Sequence, residues 1–559
     1  MSRKLNLNSL KWLFMAIVIA FPICCMSQTI EIITEKPGEL VDKLNDNKDF
    51  SELIIEGSIS TFDMANLRRF LSKEDKSYSL DIRKSNILDY DGNHVNGIPE
   101  NFFAHFKNLV NVKLSNNIKF IGKRSFFETG ITHIDIPSSV DSIFDEAFGQ
   151  SQLSNINLNE GLKYIGDDIF FMCYLKKLHI PASVDSISGC LYPMGELYTY
   201  NNISIDKNNK KYELIDYVIY SDNRTRIVSF LGCDNFNIPS TVKQIGDRAF
   251  CRSPLTYIVI PESISHIGEE CFMSSRSLEK VDIRGSSYIS DRMFYGCSSL
   301  KDVIIRDNIK EIKDEAFSLC ENLCTINIPK EVNKISGNAF RLSKNIDINI
   351  TPQNKHLTST NSSIYSKDME KLIIFCGGRH TQLNIPEGVE SIEKNALNDM
   401  LTINKIVYPS SLKNIDSSNL YSLTNIETVN VVSKAEVPPR YENYKNSDLD
   451  NFRLFVPDNS IEAYKNAIGW SDFKYINGLT QYDNITSNDI ISYDCNILIK
   501  MHDKTIVLNT KHACEYIKIY DFKGIMRYQG KSDGQDTHIN LPKGKYIIEC
   551  GKERLKISL

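Results

Sequence analysis

Apolar and polar residues alternate over short stretches that recur along most of the chain. Leu153, Ile156 and Leu158 carry one such stretch, and in the equivalent stretch that ends at Ile136 a proline follows directly. Alternation with a period of two predicts a short strand with one buried face, and the proline ends that strand because it has no N–H to donate. The pattern therefore predicts many short β-strands separated by turns.

These stretches repeat with a period of 22 or 23 residues. Ile134–Ile143 returns as Ile258–Ile267 and again as Ile326–Ile335, and a bulky apolar residue, usually phenylalanine, lies five residues after each closing isoleucine. One such unit cannot bury its apolar face alone, so we expect successive turns to stack as a repeat solenoid with parallel strands about 4.8 Å apart. The closing isoleucines are Ile121, Ile143, Ile165, Ile187, Ile245, Ile267, Ile289, Ile312, Ile335, Ile392 and Ile415.

Two intervals between closing isoleucines are longer than the others. They follow Ile187 and Ile335 and measure 58 and 57 residues. Both contain similar segments, Tyr212–Ser221 and His356–Ser366, and each segment is followed by an apolar run before the isoleucine–proline pattern returns. We interpret both insertions as β-hairpin versions of the repeat and not as inserted domains.

The first 27 residues have the features of a removable leader. Three basic residues surround the start of an apolar run over Trp12–Ile23, which is short for a membrane span. We place the cleavage before Gln28, with lipoprotein processing at Cys24 or Cys25 as the alternative. No later stretch approaches 18 apolar residues, so the sequence predicts an exported chain with no membrane span after cleavage.

Composition and charge exclude several classes of protein. The chain has 559 residues, of which 42% are hydrophobic, and this content argues against wholesale disorder. Its 27 glycines and 17 prolines are too few for a collagenous or low-complexity chain. The 65 basic and 70 acidic residues leave a net charge of −5 with both signs spread along the chain. We therefore expect no nucleic-acid partner, since phosphate binding needs a basic stripe.

The fourteen cysteines suggest disulfides in an exported protein, but their positions argue otherwise. Cys173, Cys297 and Cys320 each lie three residues after a phenylalanine, where other repeats carry serine or threonine. A position that accepts all three residue types requires a small side chain, so we expect mostly free, buried thiols. No CxxC pair or His–Cys cluster has the spacing of a zinc site.

We find no catalytic or metal-binding motif. The ten histidines form no HExxH and no i, i+4 pair, and no phosphate-binding glycine loop or nucleophile elbow occurs. Asp89, Asp91, Asn93 and Glu100 match four positions of a calcium loop, but His94 occupies the place of its glycine, which favours a polar connecting loop. We expect no catalytic residue, no cofactor and no metal ion.

Binding remains the better-supported function, because each strand must turn some side chains away from the core. The residue flanked by two inward apolar residues points outward, as does the residue two positions before it. Most of these residues are polar, as on any solvated sheet, but Tyr257, Val259 and Ile304 would form an apolar contact patch. The candidate binding ladder consists of Lys113, Asp135, Asn157, His179, Tyr257, Val259, Asp282, Ile304 and Asn327.

The repeat unit resembles that of BspA-like leucine-rich repeat proteins of bacterial surfaces, which read approximately L-xx-I-x-IP-xx-V-xx-IG-xx-AF-xx-C-xx-L. Phe148–Ile180 and Phe294–Ile328 show most of this pattern. Phe144 and Ser188 stand where the pattern has glycine, which puts the local turn geometry in doubt but not the fold. The resemblance implies a leucine-rich repeat solenoid of short parallel strands joined by irregular or helical turns.

The resemblance extends to both ends of the repeats. Gly57–Ser60 and Leu80–Ile82 are similar to the family's N-terminal cap, and Leu454–Pro457 and Gly469–Phe473 are similar to its closing module. The predicted domains are a signal peptide at 1–27, a capping region at 28–110, repeats at 111–435, a closing module at 436–481 and a tail at 482–559.

The tail loses the period of the repeats. Ile517–Gly524 and Leu541–Ile548 alternate as strands joined by tight turns, which predicts a small β-sandwich. This tail resembles the C-terminal sorting domains that the type IX secretion system reads. A generic β-sandwich stalk domain is the alternative.

Together these features predict an exported, surface-associated and non-catalytic protein that mediates protein–protein adhesion through its strand face. The family resemblance suggests extracellular or host-surface proteins, such as matrix proteins, as partners. Glycan binding for nutrient capture is a second hypothesis, although the ladder carries only one aromatic residue, Tyr257. An unrecognised hydrolase is a third, and it would need acidic residues that meet across the hairpin insertions.

Overall fold

The computed structural model divides the chain into two compact units, one that ends at Lys355 and one over His356–Leu559. The predicted signal peptide, with Cys24 and Cys25, lies outside the described residues. Among the described residues no helix is long and apolar enough to cross a membrane. The structure describes residues 28–558 except 90, 192–201, 233–234, 344–345, 361–362, 377–380, 398–402, 422–427, 444–448, 450, 487–489, 493–496, 503–504, 511–513, 522–524, 533–536, 543–544 and 551–552.

The first unit begins with a cap that contains its longest helix. This helix starts with a capping box, in which the Ser60 hydroxyl accepts a hydrogen bond from the Asp63 N–H and the Asp63 carboxylate accepts one from the Ser60 N–H at 2.9 Å. The three strands of the cap pair in parallel, and the last of them pairs with the first long strand of the repeats, so that the four strands form one sheet. The elements are β1 (Thr29–Thr34), α1 (Leu40–Lys43), β2 (Glu52–Ser60), α2 (Thr61–Leu71) and β3 (Tyr78–Leu88).

Each repeat turn contributes a longer strand and a two-residue strand, and the two kinds form separate parallel ladders. In the long ladder Ile134 lies opposite Ile156, and in the short ladder Ile121 lies opposite Ile143. The long strands are β5 (Leu109–Lys113), β7 (His133–Asp135), β9 (Asn155–Asn157), β11 (Leu178–Ile180), β13 (Ile203–Ile205), β18 (Tyr257–Ile260), β20 (Lys280–Ile283), β22 (Asp302–Ile305), β24 (Thr325–Ile328) and β26 (Asp347–Ile350). The short strands are β4 (Gly97–Ile98), β6 (Phe120–Ile121), β8 (Ser142–Ile143), β10 (Tyr164–Ile165), β12 (Ser186–Ile187), β17 (Gln244–Ile245), β19 (His266–Ile267), β21 (Tyr288–Ile289), β23 (Glu311–Ile312) and β25 (Lys334–Ile335).

The predicted solenoid is confirmed, and its core is a stack of phenylalanine rings. The phenylalanines five residues after the closing isoleucines are buried, and rings from successive turns stack with centroids 5.0 to 6.2 Å apart. Offset aromatic stacking adds to the hydrophobic stabilisation from burial. The stacked rings form two runs, Phe103, Phe126, Phe148 and Phe170, and then Phe230, Phe250, Phe272, Phe294, Phe317 and Phe340.

The first long interval is a β-hairpin version of the repeat, as predicted. The antiparallel strands β14 (Glu213–Ile215), β15 (Val218–Ser221) and β16 (Arg226–Phe230) form the insertion. Strand β16 then pairs in parallel with β17, so Ile227 lies opposite the closing isoleucine Ile245. The insertion therefore leads directly back into the short ladder.

The second unit opens with the equivalent hairpin and continues the two kinds of strand. The hairpin strands are β27 (Leu357–Thr360), β28 (Ser363–Ser366) and β29 (Lys371–Phe375), and β29 pairs in parallel with β31. The long strands are β30 (Gln382–Asn384), β32 (Lys405–Tyr408), β34 (Val429–Ser433), β36 (Phe452–Val456) and β37 (Tyr475–Gly478). The short strands are β31 (Ser391–Ile392), β33 (Asn414–Asp416) and β35 (Arg440–Glu442), and a helix, α3 (Ser418–Tyr421), follows β33.

A buried tryptophan organises the closing segment of these repeats. Trp470 packs against Tyr464 and Phe473, and its indole N–H donates a hydrogen bond to the Pro439 carbonyl at 2.6 Å. Gly469 has a φ of +82°, and a Cβ there would lie 2.6 Å from the Tyr441 ring, so this turn requires glycine. The segment includes 3-10 turns at Asp458–Ser460 and Trp470–Asp472 and the helices α4 (Ile461–Lys465) and α5 (Leu479–Thr486).

The tail contains two antiparallel sheets of four strands each, in the orders β38-β39-β40-β43 and β42-β41-β44-β45. The predicted strands at Ile517–Gly524 and Leu541–Ile548 overlap β41 (Cys514–Asp521) and β44 (Lys545–Cys550), while residues 522–524 and 543–544 of these predictions lie outside the described residues. The sandwich packing and the sorting role of this tail stay predictions. The strands are β38 (Ile490–Ser492), β39 (Ile497–His502), β40 (Thr505–Thr510), β41 (Cys514–Asp521), β42 (Met526–Ser532), β43 (Thr537–Asn540), β44 (Lys545–Cys550) and β45 (Glu553–Ser558).

Candidate binding surface

The outer face of the long ladder presents one or two side chains from each turn to solvent. Alternation along each strand places the apolar neighbours in the core, so the residue between them points outward. Tyr257 lies two positions before such a residue and is 44% exposed. The other candidate residues that are exposed are Lys113, Asp135, Asn157, His179 and Asn327.

At the first turn the candidate residue belongs to a charge cluster shared with the cap. The Lys113 ammonium lies 2.7 Å from the Glu52 carboxylate and 4.0 Å from that of Asp81. A hydrogen bond from the Arg83 guanidinium, with the charge of Lys113 adding to it, holds the pKa of the buried Asp81 carboxyl below its usual range. Lys113 is therefore engaged with the protein's own carboxylates.

The middle of the ladder departs from the expected apolar patch. Val259 and Ile304 lie on either side of Asp282 in the strand register and are half-buried instead of exposed. Asp282 is itself buried, because the guanidinium groups of Arg284 and Arg306 lie over it with contacts of 2.8 and 2.9 Å. An ion cluster thus separates the two aliphatic residues, which therefore form no continuous apolar patch.

The two arginines compensate for the burial of the carboxylate between them. Burial alone would raise the pKa of Asp282, but hydrogen bonds from Arg306 and Arg284 outweigh it and leave the pKa lowered. The arginine side chains keep nearly half of their surface exposed, 46% and 49%. Asp282 therefore holds two guanidinium groups in place at the surface and is not itself available to a partner.

Open grooves adjoin this part of the ladder. One, of about 860 Å³, is lined by Glu262, Arg284, Ser286, Arg306 and Asn308. A second, of about 500 Å³, is lined by Asn327 and its neighbours in the next turns. The polar groups that line them can contact a partner alongside the strand face.

His179 has surroundings that the sequence did not predict. Its Nδ1 lies 2.8 Å from the Ser204 hydroxyl, and potential ligand atoms of His179, Glu160 and Asp206 all lie within 4.8 Å of one another. The three residues come from three successive turns and are 19 and 27 positions apart in sequence, so no local motif could reveal them. Only the stacking of the turns brings them together.

The calcium-like stretch forms a turn closed by its own side chains. Asp89 accepts hydrogen bonds from the Asn93 backbone at 2.8 Å and from the Asn93 amide at 3.2 Å, and these hydrogen bonds lower the pKa of Asp89. The Glu100 carboxylate lies near the Asn101 amide, at 3.4 Å. This arrangement is that of a polar connecting loop.

One acidic residue of the first hairpin, Glu213, is paired within that hairpin. The Glu213 carboxylate and the Arg224 guanidinium approach to 2.6 Å, and the hydrogen bond from Arg224 lowers the pKa of Glu213.

A second exposed feature lies beside the short ladder. Phe120, Phe144 and Tyr164 come from successive turns, with ring centroids 6.0 and 5.6 Å apart, and Phe144 is 40% exposed. A Cβ at Gly97 would meet the Phe120 ring at 2.5 Å, so the glycine makes room for this ring. The alternation of the long strands does not reveal this trio, because its residues flank the closing isoleucines of the short strands.

Most of the chain matches the family model described as the BspA type leucine rich repeat region, in six copies within residues 82–193, 228–367 and 372–496. A leucine rich cell surface protein from Faecalibacterium prausnitzii A2-165 is 23% identical over 54% of this chain and 83% of that chain, with a TM-score of 0.39. Leucine-rich repeat proteins from Eubacterium ventriosum ATCC 27560 and Bacteroides ovatus ATCC 8483 are 23% and 20% identical, with TM-scores of 0.32 and 0.26. They cover 46% and 66% of this chain, and 88% and 84% of their own. No curated protein matches the sequence.

Proposed function

The chain belongs to the BspA type leucine-rich repeat family, and we propose that it is an exported cell-surface protein that binds other proteins through its long ladder, without catalysis. A stacked-repeat fold presents an extended and rigid surface, which suits the recognition of macromolecules. The partner in this proposal is an extracellular or host-surface protein.

The observation that carries the proposal is the composition of the middle of the ladder. Tyr257 begins β18, Arg284 directly follows β20 and Arg306 directly follows β22, and all three side chains are substantially exposed. Tyrosine and arginine are the residues most enriched among those that dominate protein–protein binding energies. We name Tyr257, Arg284, Ile304 and Arg306 the mid-ladder surface.

The mid-ladder surface is also ordered before a partner arrives. Asp282 fixes both guanidinium groups, so less side-chain entropy is lost when they contact a partner. Their exposed faces can still receive carboxylates from that partner, because arginine presents several N–H donors. The surface therefore fits a protein with acidic groups around an apolar or aromatic centre.

A binding assay with matched variants tests this proposal. The mature chain is measured against immobilised extracellular-matrix proteins, beside a Tyr257→Ala/Ile304→Ala variant and a Tyr174→Ala control. Tyr174 is 62% exposed but lies outside the long strands. We expect binding of at least one matrix protein, a loss of affinity of about tenfold or more in the double variant, and no change in the control. Equal binding by the double variant, or no protein binding at all, would contradict the proposal.

Glycan binding is the second candidate, and the aromatic trio favours it. Phe120, Phe144 and Tyr164 supply partly exposed rings, whereas Tyr257 supplies the one exposed aromatic ring in the described long strands of the first unit. A glycan array probed with the mature chain and with Phe144→Ala separates the candidates. Glycan binding that falls in Phe144→Ala and persists in Tyr257→Ala/Ile304→Ala would favour this second function.

A further inference from the structure

We propose that Glu160, His179 and Asp206 form a binding site for a divalent metal ion of the zinc type. Glu160 follows β9, His179 is the central residue of β11, and Asp206 directly follows β13. One ligand atom from each residue lies within 4.8 Å of the other two, so small side-chain rotations bring all three onto one ion. The sequence predicted no metal site, because the ligands come from different turns.

The charges at this site favour a cation. The two carboxylates, of Glu160 and Asp206, face the same point, and like charges this close repel each other. Among the described residues no lysine or arginine forms an ion pair with either of them, and the nearest cationic candidate is His179 Nε2, 4.0 Å from the Asp206 carboxylate. A bound divalent ion would remove the repulsion that the protein's own side chains leave in place.

The histidine is oriented for ligation by a neighbour that is not itself a ligand. His179 and Ser204 are register partners in β11 and β13, and the imidazole Nδ1 lies 2.8 Å from the Ser204 hydroxyl oxygen. When Nδ1 carries the proton and donates a hydrogen bond to this oxygen, the lone pair is on Nε2, which lies 4.0 Å from Asp206 Oδ2. A hydrogen bond on the far nitrogen is the usual way in which proteins fix a metal-ligating histidine.

Asp206 is held in a similar way. Its backbone N–H donates to the Ile180 carbonyl at 2.9 Å, which ties it to the strand that carries His179. The Asn208 N–H donates to one carboxylate oxygen, Oδ1, at 2.7 Å, and the other oxygen, Oδ2, is the one nearest to His179. Two of the three ligands are thus placed by the ladder, and Glu160, which is exposed, can close over the ion.

The ligand set selects the class of ion. Calcium and magnesium prefer oxygen ligands alone, whereas an imidazole with two carboxylates suits zinc and similar ions. Three protein ligands leave a fourth position open to water or to a group from another molecule. Because zinc can be titrated without any partner, this inference stands or falls independently of the proposed protein binding.

The ladder itself offers a matched control. His133 Nε2 lies 3.0 Å from the Asp135 carboxylate on the same outer face, but among the described residues no third ligand completes a set there. If zinc binds to a site formed by three ligands, the loss of His179 should weaken zinc binding and the loss of His133 should not. Adventitious binding to surface histidines should not distinguish between the two residues.

Isothermal titration of zinc into the untagged mature chain tests the site. We expect one ion per chain at the strongest site, weakened at least tenfold in His179→Ala and in Asp206→Asn, and unchanged in His133→Ala. Ser204→Ala, which removes only the orienting hydroxyl, should weaken zinc binding by about tenfold or more. Circular dichroism confirms that each variant is folded. Equal zinc affinity in His179→Ala, an equal loss in His133→Ala, or tighter binding of calcium than of zinc would overturn the proposal.

Discussion

In five repeat turns, the residue three positions after the stacked phenylalanine joins its turn to the previous one through a hydrogen bond. The Cys297 thiol donates to the Phe272 carbonyl at 3.1 Å, and the Ser275 hydroxyl donates to the Phe250 carbonyl at 2.8 Å. The same contact recurs elsewhere in the solenoid. It is made by Cys173 to Phe148, by Cys320 to Phe294 and by Ser343 to Phe317.

This contact explains why cysteine and serine alternate at that position. The sequence predicts a small side chain and free thiols, and Cys173, Cys297 and Cys320 are buried without a disulfide. It does not show that the residue must also be a hydrogen-bond donor, since the accepting carbonyl lies about 25 residues earlier. Burial raises the pKa of Cys173 to about 11 and that of Cys320 to about 12, so the S–H donor is retained at neutral pH.

The pKa of Asp282 makes its contribution to stability depend on pH. Because the folded-state pKa is lowered below the usual value of about 3.9, the stabilisation is present above that value and is lost as the pH falls through the folded-state pKa. We expect Asp282→Asn to lower the stability at pH 7 by about 1 kcal/mol, a modest cost because both arginines are half solvated. Thermal unfolding at pH 7 and at pH 3 measures the difference.

Asp135→Asn is the control for this prediction, because Asp135 is an exposed carboxylate on the same ladder. It should change the stability little at either pH. The difference in stability between the wild type and Asp282→Asn should be smaller at pH 3 than at pH 7. A difference that stays constant between pH 7 and pH 3 would show that lost packing, not lost charge, causes the effect.

At the scale of elements, the sequence predicts one ladder and the structure has two. The long strands show a period of two that can be read from sequence, and both hairpin insertions were predicted from their content. The two-residue strands, such as Phe120–Ile121, are too short to show any period, so the sequence predicts no strand at their isoleucines. Pairing in the short ladder is a consequence of stacking, which no single turn encodes.

A third feature of the turns is a ladder of charges. Eight of the eleven closing isoleucines are followed, three positions later, by a residue other than glycine with a positive φ. Side chains of these residues form ion pairs between turns. Arg292 bridges Glu270 and Glu315 at 3.3 and 2.7 Å. The charge ladder consists of Arg124, Glu146, Asp168, Arg248, Glu270, Arg292 and Glu315.

The charge ladder also crosses the first hairpin insertion. Asp168, which is buried, precedes the insertion and pairs with both Arg248 and Arg252, which follow it. These pairs span 80 and 84 residues of sequence. They connect the turns that the insertion separates in sequence, at a depth where an unpaired charge is costly.

We therefore expect Asp168→Asn to destabilise the turns on both sides of the insertion by about 3 kcal/mol, because the half-buried Arg252 guanidinium loses its carboxylate and Arg248 keeps only those of Asp167 and Glu270. Asparagine tolerates the positive φ of 52° at this position, so the backbone is not the cause. Hydrogen exchange measured by mass spectrometry should show faster exchange around residues 164–170 and 244–252. The exposed Asp185→Asn is the control and should leave exchange unchanged. Unchanged exchange in Asp168→Asn would show that the apolar stack alone holds these turns together.

At the scale of the whole molecule, periodicity predicts more than length does. A length of 559 residues suggests several domains, whereas the 22- or 23-residue period predicts stacked turns, and the family match confirms the repeat. The candidate surface was predicted only in part. The orientation of Tyr257 and Asn327 follows from strand alternation. The burial of Asp282 depends on Arg284, two residues later, and on Arg306, one turn later, and the pattern of a single strand does not show these contacts.

The sorting role of the tail remains a prediction at this scale, and a deletion and a fusion expressed in a bacterium with a type IX secretion system would test it. Deletion of residues 487–559 leaves α5 whole, which matters because the Tyr482 ring in α5 packs at a tilt against Phe455 of the closing segment, with centroids 4.7 Å apart. We expect the shortened chain to stay folded, as judged by circular dichroism and limited proteolysis, but to accumulate inside the cell. Fusion of the same tail to a periplasmic reporter should carry the reporter to the cell surface. Surface display of the shortened chain, or retention of the fusion, would instead identify the tail as a structural domain, because a sorting signal must be both necessary and sufficient for display.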